Sequence, residues 1–280
     1  MPTENRFENG NFWMQKCRHF SFIFQLLIAF SFALTAIAGD SQATKLFYFN
    51  PDSPQSNLSR LKRDMDNFLA RSQFSITFQP FAHLVDFEKQ LKEQPPAFLF
   101  VPNWYLKKYG QNLRLHPLLI PVRDGKTTYR KVLLAAKGTT LDLANTHHFT
   151  VAMTSMGPDG DAVLKEMLAL HGATTNQVTT IIVPKDMDAL FALALGQVNM
   201  ALVAKENMEQ MAKINPNILQ SIHPLLESKP IPMPVLCFTE GVASTNDIQQ
   251  IKKIFMPQTD KRHPNIMEML QYNEWQDVTN

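Results

Sequence analysis

Residues 97–102, AFLFVP, carry no polar side chain and are too few to make a helix of useful length. A segment like this is stable only as a strand covered on both faces, inside a sheet with helices on either side. Similar runs recur at KLFYF (45–49), FSITFQPF (74–81), HFTVAM (148–153), VTTIIVP (178–184) and VNMALVA (198–204). The intervening segments have helical spacing. Residues 56–72 place Leu58, Leu61, Met65, Phe68 and Leu69 on one face, with Ser56-Asn57 as a start. Residues 83–94 align Leu84, Phe87 and Leu91 ahead of Pro95-Pro96, and NWYLKKYG is a short helix closed by Gly110. Strands that alternate with helices define an α/β chain with mainly parallel sheets.

The alternation restarts after about residue 138, which predicts two lobes. Before that point, residues 118–138 read as two strands joined by a turn at Asp124-Gly125, and LDLANT (141–146) as a short helix or loop. Beyond it come helices at 161–171 (Leu164, Met167 and Leu168 inward, Gly172 as the stop), 186–197 and 205–214, then a loop and strand at 223–241. Helices are expected at 244–256 and 265–275. In such sheets a ligand lies beyond the carboxyl ends of the strands, and a cleft between lobes suits a small molecule.

The N-terminus sets the compartment. Lys16, Arg18 and His19 precede the apolar run 20–38, which ends in Ala36-Ile37-Ala38 before polar GDSQAT. A basic region, an apolar core and an A-x-A site make a cleavable signal peptide over 1–38, with Met14 as an alternative start. An uncleaved anchor is the competing reading of the same run. Cys17 lies ahead of the run, so it is not a lipidation site, and Cys237 is the one cysteine left after cleavage. No disulfide can form within one copy, and Cys237 within PVLCF reads as a buried, inert thiol. Export without disulfides points to the periplasm of a Gram-negative envelope.

Several function classes lose support. A formal charge of +2 with no block of like charges argues against a nucleic-acid partner. No G-x-S-x-G, H-E-x-x-H or P-loop motif is present. His147 and His148 are adjacent, so in a strand they point to opposite faces and cannot chelate one ion; no metal site or cofactor is expected. Most of the methionines, such as Met167, Met208, Met211 and Met267, sit at core spacing.

The candidate ligand residues lie at strand ends and helix starts. Thr154, Ser155 and Gly157 end a strand before a helix, where hydroxyls and free N–H groups suit an oxyanion; Asp159 and Asp161 act against an anion and suit a helix cap. Asn103, Trp104 and Tyr105 follow the 97–102 strand and can wall a ligand or simply start a helix. Lys185, Lys205, Asn50 and Ser53 hold equivalent positions, and Tyr129 stands just before the crossover strand. Each has an ordinary reading as packing, solvated surface or turn.

Five segments in their order resemble one family: FLFVPNWYLKKY (98–109), TTYRKVLLAAKGTTLDLAN (127–145), DMDALFALALGQVNMALVA (186–204), LLESKPIPMPVLCF (225–238) and MLQYNEWQDV (269–278). Together they resemble the periplasmic solute-binding proteins of phosphate, phosphite and phosphonate ABC transporters. The resemblance implies the type 2 periplasmic-binding fold, with two lobes, each a mixed sheet flanked by helices, joined by crossover strands. On that layout lobe 1 is 39–136 plus about 234–280, and lobe 2 is 137–233. It implies a non-enzymatic monomer that captures a small anionic solute, phosphate- or phosphonate-like, and docks on an ABC permease. Delivery to the periplasmic domain of a membrane sensor kinase or cyclase is the alternative. An exported hydrolase or metal-dependent enzyme, and a structural envelope protein, are rivals of other classes. The chain departs from the family pattern at Asn199, where an aspartate is usual, at Met156 within the ligand loop, and at Val101-Pro102-Asn103.

Overall fold

The computed structural model describes residues 44–55, 57–71, 75–138, 148–157, 161–170, 172, 178–256 and 266–278. The signal peptide, the 141–146 segment, Ser56, His147 and Asp159 lie outside the described residues. The strands are β1 (Thr44–Phe49), β2 (Ile76–Phe81), β3 (Phe98–Val101), β4 (Leu115–Val122), β5 (Thr128–Tyr129), β6 (Lys131–Ala136) and β7 (Phe149–Thr154). They continue with β8 (Val178–Val183), β9 (Met200–Ala204), β10 (Ile222–Glu227), β11 (Ile231–Pro232), β12 (Val235–Thr239) and β13 (Glu274–Asp277).

These strands form a six-stranded sheet, ordered β13-β4-β12-β3-β1-β2, and a five-stranded sheet, ordered β10-β6-β9-β7-β8. The pairings of β1 with β2 and β3, and of β7 with β8 and β9, are parallel. The strands added beyond them, β4, β12 and β13 in one sheet and β6 and β10 in the other, pair antiparallel. The sheets are therefore mixed, whereas alternation alone predicts mainly parallel ones.

Burial of both faces follows from the apolar runs. In β3, Phe98 and Phe100 enter one core and Leu99 and Val101 the core on the opposite face. β1 divides in the same way, Leu46 and Tyr48 against Phe47 and Phe49, and in the second sheet Met200 and Leu202 oppose Ala201 and Val203. Each fully buried Phe or Leu contributes about 1.5–3 kcal/mol relative to exposure. The helix Leu58–Leu69 packs on the first core through Leu61, Met65 and Leu69, and the Asn57 side chain accepts from the Arg60 N–H at 2.8 Å to cap its start. The helix Thr245–Phe255 is capped reciprocally by Ser244 and Asp247.

The chain crosses between the sheets twice, after β4 and after β10. The two crossings pair with each other, Ile231 opposite Tyr129 and Pro232 opposite Thr128. The turn at Asp124-Gly125 is real: both residues have positive φ (50° and 71°), and Arg123 and Lys126 exchange two hydrogen bonds of 2.9 Å. It does not make a hairpin of the flanking strands, because β4 and β6 go to different sheets. Strand β6, residues 131–136, hydrogen-bonds to β9 and β10 in the five-stranded sheet.

The C-terminal segment corrects a second expectation. A helix runs only over Ile266–Leu270, Gln271 takes φ 59°, and Glu274–Asp277 is strand β13. Trp275 inserts edge-on against Phe255 (4.8 Å between ring centroids) and against Phe100 (5.7 Å). That burial, gained in an extended conformation, outweighs the helical pattern.

Candidate functional site

Parallel strands β7, β8 and β9 end at the same edge of the five-stranded sheet, and antiparallel β6 begins there, since Lys131 stands opposite Ala204. Thr154 at the end of β7, Lys185 just past β8, Asn207 just past β9 and Lys131 at the head of β6 therefore converge. All four are buried. The loop after β1, residues 50–53, comes from the other sheet and enters this group.

Asp52 is the centre of the contacts. Its Oδ1 accepts from Lys131 Nζ at 2.7 Å and from Thr154 Oγ1 at 2.5 Å, and its Oδ2 accepts from the Tyr129 hydroxyl at 2.6 Å. Lys131 Nζ also donates to Thr154 Oγ1 at 2.8 Å and to Asp186 Oδ1 at 3.4 Å. The second oxygen of Asp186 is held by the Ala204 N–H and by Asn207 Nδ2, each at 2.7 Å. Main-chain carbonyls of the loop are bound as well: Asn207 Nδ2 reaches Asp52 O at 3.2 Å, and Lys185 Nζ reaches Asn50 O at 3.2 Å.

The charges follow from this geometry. Burial pushes the Asp52 carboxyl up, but the Lys131 charge, with hydrogen bonds from Lys131, Thr154 and Tyr129, outweighs it and holds Asp52 below the usual range. Asp186 is raised, chiefly by burial, which the Lys131 charge only partly offsets. Burial would lower Lys131, yet Asp186 and Asp52 raise it and keep it an ammonium. Lys185 is lowered to about 8 by burial, against the pull of Asp186, Asp52 and Asp188. Burial and the Asp52 carboxylate raise Tyr129, which therefore stays a donor.

Beside this group lies a cavity of about 170 Å³, lined by Asn103, Trp104, Tyr129, Met156, Ile231 and Pro232, among others. Tyr129 belongs to both. Gly157, next in the chain to the lining residue Met156, has φ 89°, and a Cβ there would run into the Trp104 ring. That residue must be glycine for two reasons, backbone and space.

A family model described as "ABC transporter, phosphonate, periplasmic substrate-binding protein" matches residues 47–280. The chain belongs to that family. Phosphonate-family substrate-binding proteins are periplasmic, take a small solute and work with an ABC permease, and they are not enzymes. A comparison with curated protein sequences finds no match. Among solved structures, the chain resembles the binding-protein component of an ABC phosphonate transporter of Pseudomonas aeruginosa. The TM-score is 0.69 at 14% identity, over 84% of this chain and 80% of that one. It resembles equally PhnD1 of Prochlorococcus marinus in complex with methylphosphonate, with TM-score 0.69, 10% identity, and 84% and 92% of the two chains covered. A Xanthomonas citri protein bound to chloride ion gives TM-score 0.58 at 11% identity, covering 83% and 90%. At these identities the likeness shows the fold, which is that of type 2 periplasmic binding proteins.

For this phosphonate-family protein, the residues named from sequence divide into groups. Thr154, Tyr129, Lys185 and Asn50 come together around Asp52. Ser155, half-buried, follows Thr154. Asn103 borders the cavity, its buried Oδ1 without a partner among the described residues, and Gly157 lies against the lining Trp104 ring. Tyr105 goes elsewhere: its ring packs in the core against Phe87 (5.3 Å) and Tyr109 (4.7 Å). One helical residue on from Trp104, it turns to the sheet as Trp104 turns to the cavity. Ser53 accepts from the Tyr48 hydroxyl at 2.9 Å, and Lys205 pairs with Glu227 at 3.3 Å, away from the cluster. Cys237 is buried, its thiol pushed up to about 12. Exposed His148 meets Thr179 at 3.3 Å, and no group of three or more metal-ligating side chains occurs among the described residues.

Asp52, Lys131, Asp186 and Asn207 were not among the sequence candidates. Asp52 sits two residues beyond Asn50, and Asp186 directly after Lys185, so the strand-end rule that found their neighbours covers both. Lys131, a charge opening the apolar strand KVLLAA, was the strongest missed signal. Asn199, the departure from the family aspartate, accepts from the Thr150 N–H (2.7 Å) and hydroxyl (3.0 Å). Thr150 and Thr154 are four positions apart, about 13 Å along an extended strand, so that departure lies far from the cluster.

Proposed function

We propose that Lys131, Thr154, Tyr129 and Lys185 form an oxyanion seat for a small, phosphonate-like solute, and that the Trp104–Met156 cavity takes its organic substituent. The observation that carries this reading is the convergence of an ammonium and two hydroxyls on both oxygens of a single carboxylate. Charge-assisted donors fixed before the ligand arrives are what an oxyanion needs to give up its water. Ser155, Gly157, Asn103 and Asn50 complete the surroundings as further donors or close-packed wall. The methylphosphonate held by the Prochlorococcus marinus relative supports this ligand class.

The two sheets serve as lobes, with the paired crossings at β5 and β11 as the hinge on which they open and close. The lobe boundaries then fall within 123–130 and 228–234, and β6 goes with the second lobe. Residues 1–38 act as a cleaved export signal, and the mature chain works as a monomer. Docking on a permease and docking on a sensor use the same closed form, and copurification of the partner separates them.

The test is a thermal-shift and calorimetric screen of the exported protein with phosphate, phosphite, methylphosphonate and methanesulfonate. At least one oxyanion is expected to bind, and Thr154→Val is expected to weaken it at least tenfold. Absence of binding by every oxyanion, or unchanged affinity in Thr154→Val, overturns the reading.

A further inference from the structure

The seat described above holds a ligand already, and it belongs to the chain. We infer that Asp52 is a tethered competitor for the oxyanion site, so that this residue sets the affinity and an arriving oxyanion must displace it. This rests on the proposed oxyanion seat and adds how that seat is regulated.

Four observations carry it. The donors of the five-stranded sheet that would meet an oxyanion, Lys131 and Thr154, both end on Asp52 Oδ1, and Tyr129 ends on Oδ2. The carboxylate thus spends both oxygens on the seat, and its side chain is only 11% exposed. Asp52 comes from the opposite sheet, on the loop after β1, so its bonds to Lys131 and Thr154 also tie the two sheets together without any ligand. The loop is held by its main chain too, at Asn50 O by Lys185 and at Asp52 O by Asn207. Finally, the charges close on themselves: Lys131 and Lys185 face Asp52 and Asp186. A singly charged oxyanion in place of Asp52 keeps that balance, whereas adding one beside Asp52 breaks it.

A tethered group competes at a high effective concentration, in the millimolar range for a short connection. The observed affinity of a free ligand then falls by the fraction of molecules in which the seat is vacant. Removing the Asp52 side chain leaves Lys131 with Asp186 and Thr154, so one counter-charge remains and the seat gains a net positive charge.

The experiment is titration calorimetry with methylphosphonate and with inorganic phosphate on wild type, Asp52→Ala and Asp52→Asn, each expressed as the whole chain and purified from the periplasm. The expected result is at least tenfold tighter binding in Asp52→Ala, and a gain in Asp52→Asn, which keeps the shape and removes the charge. Equal or weaker binding in the variants, with clear binding by wild type, overturns the inference and leaves the oxyanion seat standing. No binding of either anion by any of the three proteins overturns the inference, and no binding of phosphite or methanesulfonate as well overturns the oxyanion seat too. Hydrogen exchange on the wild type covers the case in which a variant fails to fold. Methylphosphonate is expected to speed exchange at residues 50–55, and slower or unchanged exchange there overturns the displacement.

Discussion

Lys131 Nζ lies 2.7 Å from Asp52 Oδ1, although the residues are 79 positions apart and stand on different sheets. The ion pair joins the two halves of the chain at the point where their strand ends face each other. Lys131 is buried and the Asp52 side chain only 11% exposed, so its behaviour is closer to that of an interior pair than of a surface one.

Lys131→Met removes the cation and leaves Asp52 and Asp186 without their shared partner. Loss of one member of a buried pair costs about 3–5 kcal/mol. Urea unfolding monitored by circular dichroism is expected to show that loss. The same change in the double variant Lys131→Met/Asp52→Ala is expected to cost less, because one of the two uncompensated carboxylates is gone.

Gly157→Ala places a methyl group against the Trp104 ring at a residue whose φ is 89°. A side chain held in that region costs about 1–3 kcal/mol before any clash is counted. The expected outcome is a lower melting temperature together with altered tryptophan fluorescence, because the Trp104 ring must move. A variant with both unchanged contradicts the contact.

Lys185 carries a pH signature. Its folded pKa, near 8, lies below the ordinary 10.5, so between these values the unfolded chain binds more protons than the folded one. Stability then rises as pH rises through that window. Cys237 and Tyr48, both pushed up to about 12, act in the opposite sense above their ordinary values of 9.0 and 10.0, which leaves pH 8 to 9 as the clean interval. Wild type is expected to gain stability relative to Lys185→Met across that interval in chemical denaturation at stepped pH.

Asn199→Asp restores the residue usual in the family at a position remote from the cluster. The carboxylate keeps the acceptor used by the Thr150 N–H and hydroxyl. Methylphosphonate affinity is expected to stay within about twofold and stability within about 0.5 kcal/mol, as for other surface changes. A tenfold change in affinity by calorimetry contradicts that placement.

The parts legible in the sequence are those set by local pattern. The unbroken apolar run Phe98–Val101 specified a strand buried on both faces, because no other arrangement covers all its side chains. The spacing of Leu61, Met65 and Leu69 specified a helix and its inward face, and the strand-end positions of Thr154 and Lys185 marked them as candidates. Local pattern failed at Trp275 and Tyr105. Strand and helix are both open to an apolar residue near the chain end, and adjacent aromatics on one helix point in different directions.

The sequence by itself thus determined the α/β class and the family. Only the tertiary structure decided which strand goes to which sheet, that β4 and β6 part company at a tight turn, and that Asp52 meets Lys131. The physical reason is range. Periodicity and propensity act over a few residues, whereas a buried charge finds its partner through the meeting of strand ends far apart in the chain.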